Sequence, residues 1–284
     1  MSVQKWNGWR VLILTLAFTC AANAADITGT WAIQDLQIAN KLQLSLNTVQ
    51  NGKGTTNSSS AIDASELRGL TPGQMAVPMG TVARFELVRE AGTFTCEGYF
   101  KAGNGAGTFV FRPNPSFIQD MRALGFLDIP EDRLFTMAVF NIGPRFASEI
   151  RATGVAIDET SELVSMRIHG VTGDFIRGIQ RANYSPTSKE LVNMRIHGVT
   201  IDFANAVQRM YTSAPIAKLV NMRIHGVTLE FANDVRQIFP SASIDDLVKL
   251  RIHGVTLEYI RNLRSRSGNL TLDQIVRSKI HGIE

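Results

Sequence analysis

The hexapeptide Arg-Ile-His-Gly-Val-Thr occurs four times in this chain and limits its possible folds more than any other feature. The four copies begin at Arg167, Arg195, Arg223 and Arg251, and a truncated fifth copy begins at Lys279. Successive copies are 28 residues apart. A fixed period of that length indicates a tandem-repeat architecture, in which each unit packs on its neighbours to bury a shared core.

Each repeat has the pattern of two short helices joined by a tight corner. In the first copy, Leu163 and Met166 have the spacing of one helix face, and Gly170 suits a left-handed position that ends the helix. Thr172 suits the N-cap of a second helix, whose first turn holds an acidic residue. The sequence therefore predicts a helical solenoid over residues 114–284, with diverged first units, full repeats from about residue 161 and a truncated last copy.

The preceding residues, 25–113, alternate between apolar and polar side chains with a period near two, which is typical of strands. The chain is thus predicted to be an α+β protein, in which a small antiparallel β domain is followed by an α-helical solenoid. Asn51–Ser60 is predicted to be a polar loop, and the last two strands are predicted to form a hairpin. The predicted strands are Ile27–Ile33, Leu42–Thr48, Val82–Val88, Thr93–Phe100 and Gly107–Phe111.

Residues 1–24 have the pattern of a secretory signal peptide. Lys5 and Arg10 precede and flank the apolar run Val11–Phe18, and Ala22–Ala24 forms a small-residue cleavage site. We expect an exported protein, periplasmic or secreted, without a stable membrane span after cleavage. Lipidation at Cys20 or a retained signal is the alternative.

Composition and charge exclude several functions. The chain has 29 basic and 25 acidic residues and a formal net charge of +4, which is too small to favour non-specific nucleic-acid binding. No pattern typical of a nucleophilic triad, a metal box or a cofactor loop is present, and we predict neither enzymatic activity nor a cofactor. Cys96 is predicted to be a buried structural thiol, with a reactive thiol as the alternative.

The repeated histidines and arginines are the candidate site residues. They are His169, His197, His225, His253 and His281, with Arg167, Arg195, Arg223 and Arg251. The histidine rings are expected to bond carbonyls at the end of each first helix, with a pH-sensing role as a second hypothesis and metal binding as a third. Metal binding is disfavoured because equivalent residues of stacked helices lie roughly 8–10 Å apart. The arginines are expected to pair with the acidic residues of the second helices, or alternatively to face a partner.

Positions that differ between the copies are expected to carry the specificity of the array. The position after the hexapeptide is the clearest of these, with Gly173, Ile201, Leu229 and Leu257 in the four full copies.

Two resemblances add expectations. The corner Ile196–Thr200 with Ala204 resembles a helix-hairpin-helix motif, which implies contact with a nucleic-acid phosphate, although Thr200 stands where that family has its second glycine. The segments Phe85–Phe94, Glu97–Phe100 and Phe109–Asn114, followed by the hexapeptide repeats, are similar to uncharacterised exported bacterial proteins. They also resemble the extracytoplasmic tail of membrane metallopeptidases of the beta-lactam-sensor type, which implies a sensing or interaction part without the protease.

The sequence thus predicts a non-enzymatic exported protein that recognises a protein, peptide or other ligand in the cell envelope, as part of a sensing system. The expected partner is an envelope protein or peptide, and no nucleic acid is expected. A structural envelope protein is the first alternative, and nucleic-acid binding through the corners is the second. The oligomeric state is left open.

Overall fold

The structure is a computed structural model that describes residues 26–49, 55–212 and 214–283. The predicted signal peptide and Cys20 lie outside these residues. No helix of the described residues is long and apolar enough to cross a membrane.

The N-terminal part of the described chain forms one curled antiparallel sheet of seven strands, in the order β3-β2-β1-β7-β6-β5-β4. The five predicted strands are all present, and β6 and β7 form the predicted hairpin. The strands are β1 (Ile27–Asp35), β2 (Lys41–Val49), β3 (Thr55–Asp63), β4 (Leu67–Arg68), β5 (Thr81–Arg89), β6 (Gly92–Lys101) and β7 (Asn104–Pro113).

The predicted loop Asn51–Ser60 is wrong from Thr55 onward, because that segment belongs to β3. β3 pairs with β2 over its whole length, and Ser59 Oγ lies 3.1 Å from Ser45 Oγ on β2. Pairing with an existing strand overrides the turn-like composition of the segment. β3 is also an edge strand, and most of its described side chains are at least partly exposed, so polar residues are tolerated there.

The described helices fall into one short helix beside the sheet and a C-terminal array. A turn of 3₁₀ helix, Ala64–Glu66, lies between β3 and β4. The helices are α1 (Pro72–Met75), α2 (Phe117–Ala123), α3 (Glu131–Val139), α4 (Pro144–Arg151), α5 (Thr160–Ile168), α6 (Gly173–Arg181), α7 (Ser188–Ile196), α8 (Ile201–Met210), α9 (Ile216–Ile224), α10 (Leu229–Ile238), α11 (Ile244–Ile252), α12 (Leu257–Ser267) and α13 (Leu272–Ile280).

The helical array has two layers. The first helices of the repeats, α5, α7, α9, α11 and α13, begin at residues 160, 188, 216, 244 and 272, so the 28-residue period of the sequence is also the period of the structure. Each first helix packs on the next one, and the second helices α6, α8, α10 and α12 pack on one another in the same order. The predicted helical repeats are therefore confirmed.

The diverged units connect the array to the sheet. Phe135 of α3 contacts Phe94, Phe109 and Phe111 on the inner face of the sheet, with ring centroids 5.7 to 6.0 Å apart. Phe140 occupies the position of the repeat histidine, and Asn141 takes the left-handed backbone conformation of the repeat glycine, with φ of 51°. The buried aromatic cluster thus makes the core of the sheet continuous with the core of the first unit.

Candidate recognition surface

Each corner is built by backbone hydrogen bonds that end the first helix. In the second full repeat, Gly198 has φ of 68°, and the Val199 N–H donates to Met194 O at 2.8 Å. The Gly198 N–H donates to Arg195 O at 3.1 Å. These two bonds define a Schellman motif, which requires glycine at the left-handed position and brings two apolar side chains together. Val199 and Met194 are both fully buried, so Met, Gly and Val of the repeat have a structural role.

The threonine that closes the hexapeptide caps the second helix, as predicted. The hydroxyl oxygen of Thr200 accepts a hydrogen bond from the Phe203 N–H at 3.1 Å. Thr172, Thr228 and Thr256 make the same bond in their repeats. One otherwise unpaired N–H group of each second helix is thereby satisfied, which also gives threonine a structural role.

The predicted ion pairs between the repeat arginines and the acidic residues are wrong for the described residues. The guanidinium of Arg223 lies over the ring of Phe203 in the preceding repeat, 5.3 Å from the ring centroid. Arg167, Arg195 and Arg251 stack in the same way, at 5.1 to 5.2 Å. Asp174 instead pairs with Arg177 of its own helix. The arginine is drawn to the aromatic ring of the neighbouring unit because the ring face is negative.

The expected capping role of the histidine rings is also wrong. The backbone N–H of His197 donates to Asn193 O at 3.1 Å, as an ordinary helix end requires. Within the described residues, none of the five rings makes a hydrogen bond, and the rings of His169 and His281 are exposed while the other three are partly exposed. No hydrogen bond of the ring to the described residues therefore explains the repetition of the histidine. The pH-sensing hypothesis stays a prediction, which a melting temperature that is flat from pH 5 to 8 would contradict.

The isoleucine of the hexapeptide is the residue that the sequence analysis missed. It is the last residue of each first helix, and its exposed fraction is similar in every copy. We call these five side chains the isoleucine row: Ile168 (49% exposed), Ile196 (53%), Ile224 (52%), Ile252 (55%) and Ile280 (57%). A single exposed isoleucine is common, but five at equivalent positions form an apolar line along one edge of the array.

Other exposed positions of the same helices differ from copy to copy. The position three residues before the isoleucine is Ser165, Asn193, Asn221 or Lys249, and each of these side chains is at least partly exposed. The variable position expected to carry specificity behaves differently, since Ile201, Leu229 and Leu257 are partly buried and pack against the core. The isoleucine is thus the same in every copy although it is exposed, whereas other exposed positions of the same helices vary. This difference makes the isoleucine row the candidate binding surface of the repeats.

A cavity of about 720 Å³ lies at the junction between the sheet and the array. Its wall includes the end of β3, the diverged corner at Phe140 and the first member of the isoleucine row, Ile168. Arg89, at the end of β5, also lines the cavity and is nine-tenths buried. Sequence reasoning missed this cavity because its residues come from strands and corners that only the fold brings together.

The remaining candidate groups have no reactive environment. Cys96 is buried as predicted, and burial raises the pKa of its thiol to about 12, which keeps it protonated and unreactive. No three side chains of His, Cys, Asp or Glu in the described part of the chain lie close enough together to hold a metal ion.

The fold defines the class of this protein, a curled antiparallel sheet continued by a helical-repeat solenoid. Comparisons with protein-family models, with curated proteins and with solved structures found no match.

Proposed function

We propose that this chain is a non-enzymatic, exported recognition protein, which binds an extended segment of a partner protein in the cell envelope along the isoleucine row. The observation that carries the proposal is the exposure of the same apolar residue in all five copies of the corner. Met, Gly, Val, Thr and Arg of the repeat have specific structural roles, whereas about half of each isoleucine side chain is exposed to solvent and the histidine rings make no hydrogen bond to the described residues. A purely structural array has no need of an exposed isoleucine at one fixed position.

The expected spacing of the row favours one backbone conformation of the bound segment. Stacked helices lie roughly 8–10 Å apart, and equivalent side chains on them repeat at about that distance. One turn of a polyproline II helix takes three residues of about 3.1 Å each, so every third side chain recurs at a similar interval. Residues on one face of a β-strand recur every 6.6 Å or so, which does not match. We therefore expect a polyproline II segment with an apolar residue at every third position.

The charges beside the row favour an acidic partner. Arg195, Arg223 and Arg251 precede the isoleucines directly and are exposed. Stacking on the aromatic rings uses one face of each guanidinium and leaves N–H groups that can bind a carboxylate. Arg277 is exposed near the C-terminal end of α13, whereas the exposed Lys249 of α11 already pairs with Asp273 at 2.7 Å. Acidic residues between the apolar positions of the segment would thus meet a basic surface.

Nucleic acid is the less favoured alternative for the same corners. The N–H group of Phe203, which could otherwise bind a phosphate at the start of the second helix, donates to the Thr200 hydroxyl. The same internal bond occurs in the other three full corners. A phosphate would have to displace the cap in every repeat, which favours a protein partner.

Synthetic peptides test the proposed chemistry of the partner directly. We expect a fluorescent 15-residue peptide of five Leu-Glu-Pro triplets to bind the mature chain, as measured by fluorescence anisotropy at low salt. A peptide of five Leu-Lys-Pro triplets should bind at least tenfold more weakly because it meets the exposed arginines. A scrambled peptide of the same composition as the Leu-Glu-Pro probe, without the three-residue period, should also bind at least tenfold more weakly.

The peptide result distinguishes the alternatives. Equal affinity for the ordered and scrambled acidic peptides would contradict recognition by a periodic row and leave only charge attraction. Binding of a single-stranded or duplex oligonucleotide in preference to all three peptides would favour the nucleic-acid alternative. Failure to bind any of these probes would favour the structural role.

A further inference from the structure

The junction cavity contains buried polar groups without partners. Arg89 is nine-tenths buried, and its side chain is 5% exposed. The only hydrogen bond that its guanidinium makes to the described residues is from Nη1 to Glu66 Oε2, at 2.5 Å. Arg89 Nε and the hydroxyl oxygen of Ser60 are both buried and have no hydrogen-bond partner among the described residues. Buried polar atoms are nearly always paired, so two unpaired atoms in one cavity wall indicate a place for a hydrogen-bonding ligand.

The charges of the lining favour an anion. Three basic side chains and two acidic side chains line the cavity, which leaves an excess of one positive charge. Asp63 pairs with Lys41 at 3.0 Å and Glu66 pairs with Arg89, so the excess positive charge is that of Arg167. Arg167 lies over the Phe146 ring, and its Nε–H donates to Phe140 O at 3.0 Å. The basic side chains are Lys41, Arg89 and Arg167, and the acidic ones are Asp63 and Glu66.

The array contributes three apolar residues to the lining, beside Asn141 and Arg167. Val139 and Phe140 come from the diverged corner, and Ile168 comes from the first full corner. Ile62 of β3 adds a buried side chain from the sheet. A volume of about 720 Å³ is within the range of small-molecule sites, which typically combine apolar walls with a few polar groups that fix orientation.

We propose that the junction cavity binds an organic anion that carries one carboxylate on an apolar body. The carboxylate accepts hydrogen bonds from the guanidinium of Arg89, whose planar donors match the two carboxylate oxygens. The apolar body lies against Val139, Phe140 and Ile168. This site is separate in chemistry from the peptide-binding row, although Ile168 belongs to both.

Titration with hexanoate and with the uncharged analogue 1-hexanol tests the proposal on the mature chain. In two-dimensional methyl NMR spectra, we expect hexanoate to shift the signals of Ile62 and Ile168 in a saturable way. The signals of Ile224 and Ile252, far along the row, should not move. We expect hexanol to bind at least tenfold more weakly, since it cannot pair with the guanidinium. Hexylamine should not bind at the site.

A paired substitution tests the role of Arg89 without leaving a buried charge unpaired. In the double variant Glu66→Gln, Arg89→Gln, the preference for hexanoate over hexanol should be lost. The matched control is Lys218→Gln, Asp245→Asn, which removes an exposed ion pair between α9 and α11 and should leave hexanoate binding unchanged. If the double variant does not fold, the comparison of hexanoate with hexanol on the unchanged chain still shows whether the cavity recognises the carboxylate.

Three results would overturn the proposal. Equal affinity for hexanoate and hexanol would mean that the cavity recognises only apolar volume. Hexanoate binding that survives the double variant would place the anion elsewhere. Absence of saturable shifts at Ile62 and Ile168 would mean that the cavity binds no such carboxylate. None of these results bears on the peptide experiment, which uses the row beyond Ile168.

Discussion

The repeat corner has a buried side, represented by Val199, and an exposed side, represented by Ile196. Both residues are identical in all four full copies, but only the buried one has a packing role that explains this. Val199 and its equivalents in the four full copies are buried against the end of the first helix, beside the apolar residue that accepts the Schellman bond. Ile196 and its equivalents are about half exposed and take part in no such arrangement. Repetition alone therefore does not separate structure from function in a solenoid, and the exposure of an apolar side chain is what distinguishes the isoleucine row.

The largest expected difference between the two sides is in stability. Leu219 of α9 is fully buried, and Leu219→Ala should lower the free energy of unfolding by about 2–5 kcal/mol. Ile224→Ala on the same helix should cost less than about 1 kcal/mol, since half of the side chain is already in water and alanine favours the helix. Urea denaturation of the two variants measures both values. Equal losses would show that the isoleucine is a structural residue after all.

A smaller effect is expected at the arginine, which joins one repeat to the next. Arg223→Met removes the stack on Phe203 and should lower stability by about 0.5–1 kcal/mol, the value of an exposed cation–π contact. Arg209→Met is the matched control, because Arg209 is an exposed arginine on α8 that stacks on no aromatic ring of the described residues. If both variants melt at the same temperature, the stack contributes nothing and the arginines serve only the partner.

The smallest effect concerns pH, at the opposite end of the first helices. Burial opposes ionisation of Glu162, but hydrogen bonds from the Ser188 hydroxyl and from the backbone N–H groups of Asp158 and Glu159 outweigh it, so its pKa is lowered from 4.5. A lowered pKa in the folded state adds stability above pH 4.5, which is lost as the pH falls through the folded value. Glu162 is still partly exposed to solvent, which screens its charge, so we expect less than about 1 kcal/mol.

Thermal melts of the unchanged chain and of Glu162→Gln between pH 3 and 7 check this point. The two proteins should differ at pH 7 and converge at pH 3. A constant difference over the whole range would show that the carboxylate acts through packing and not through its charge.

Much of the fold could be predicted because local chemistry determines it. The helix end at Gly198, the cap at Thr200 and the 28-residue period each follow from neighbouring residues and are confirmed. The composition of Thr55–Ser60 predicts a loop, because the pairing of β3 with β2 depends on residues outside that segment. The local composition of this segment favours a turn, but its pairing with β2 makes it a strand.

The candidate surfaces were harder to predict, for a related reason. The sequence shows which positions repeat, but not which of them reach solvent. It therefore does not distinguish the exposed isoleucine from the histidine and the arginine that flank it in the hexapeptide. The aromatic ring that each arginine contacts belongs to the preceding repeat and lies 20 residues away in sequence. Sequence alone therefore favours the nearer acidic residues of the second helix as the contact of the arginine. Arg89 and Ser60 line the junction cavity together, but they lie on different strands, and no sequence pattern links them. The cavity could therefore not be predicted from the sequence.

The central claim is that the isoleucine row is kept for binding, and one comparison tests it most directly. The triple variant Ile196→Thr, Ile224→Thr, Ile252→Thr is compared with Ser165→Thr, Asn193→Thr, Asn221→Thr, which changes three variable and at least partly exposed positions on the same layer. Affinity for the Leu-Glu-Pro peptide and the melting temperature are measured for both. The account predicts that the first variant folds and loses at least tenfold in affinity, while the control binds like the unchanged chain. Unchanged affinity in the first variant, or equal losses in both, would contradict it.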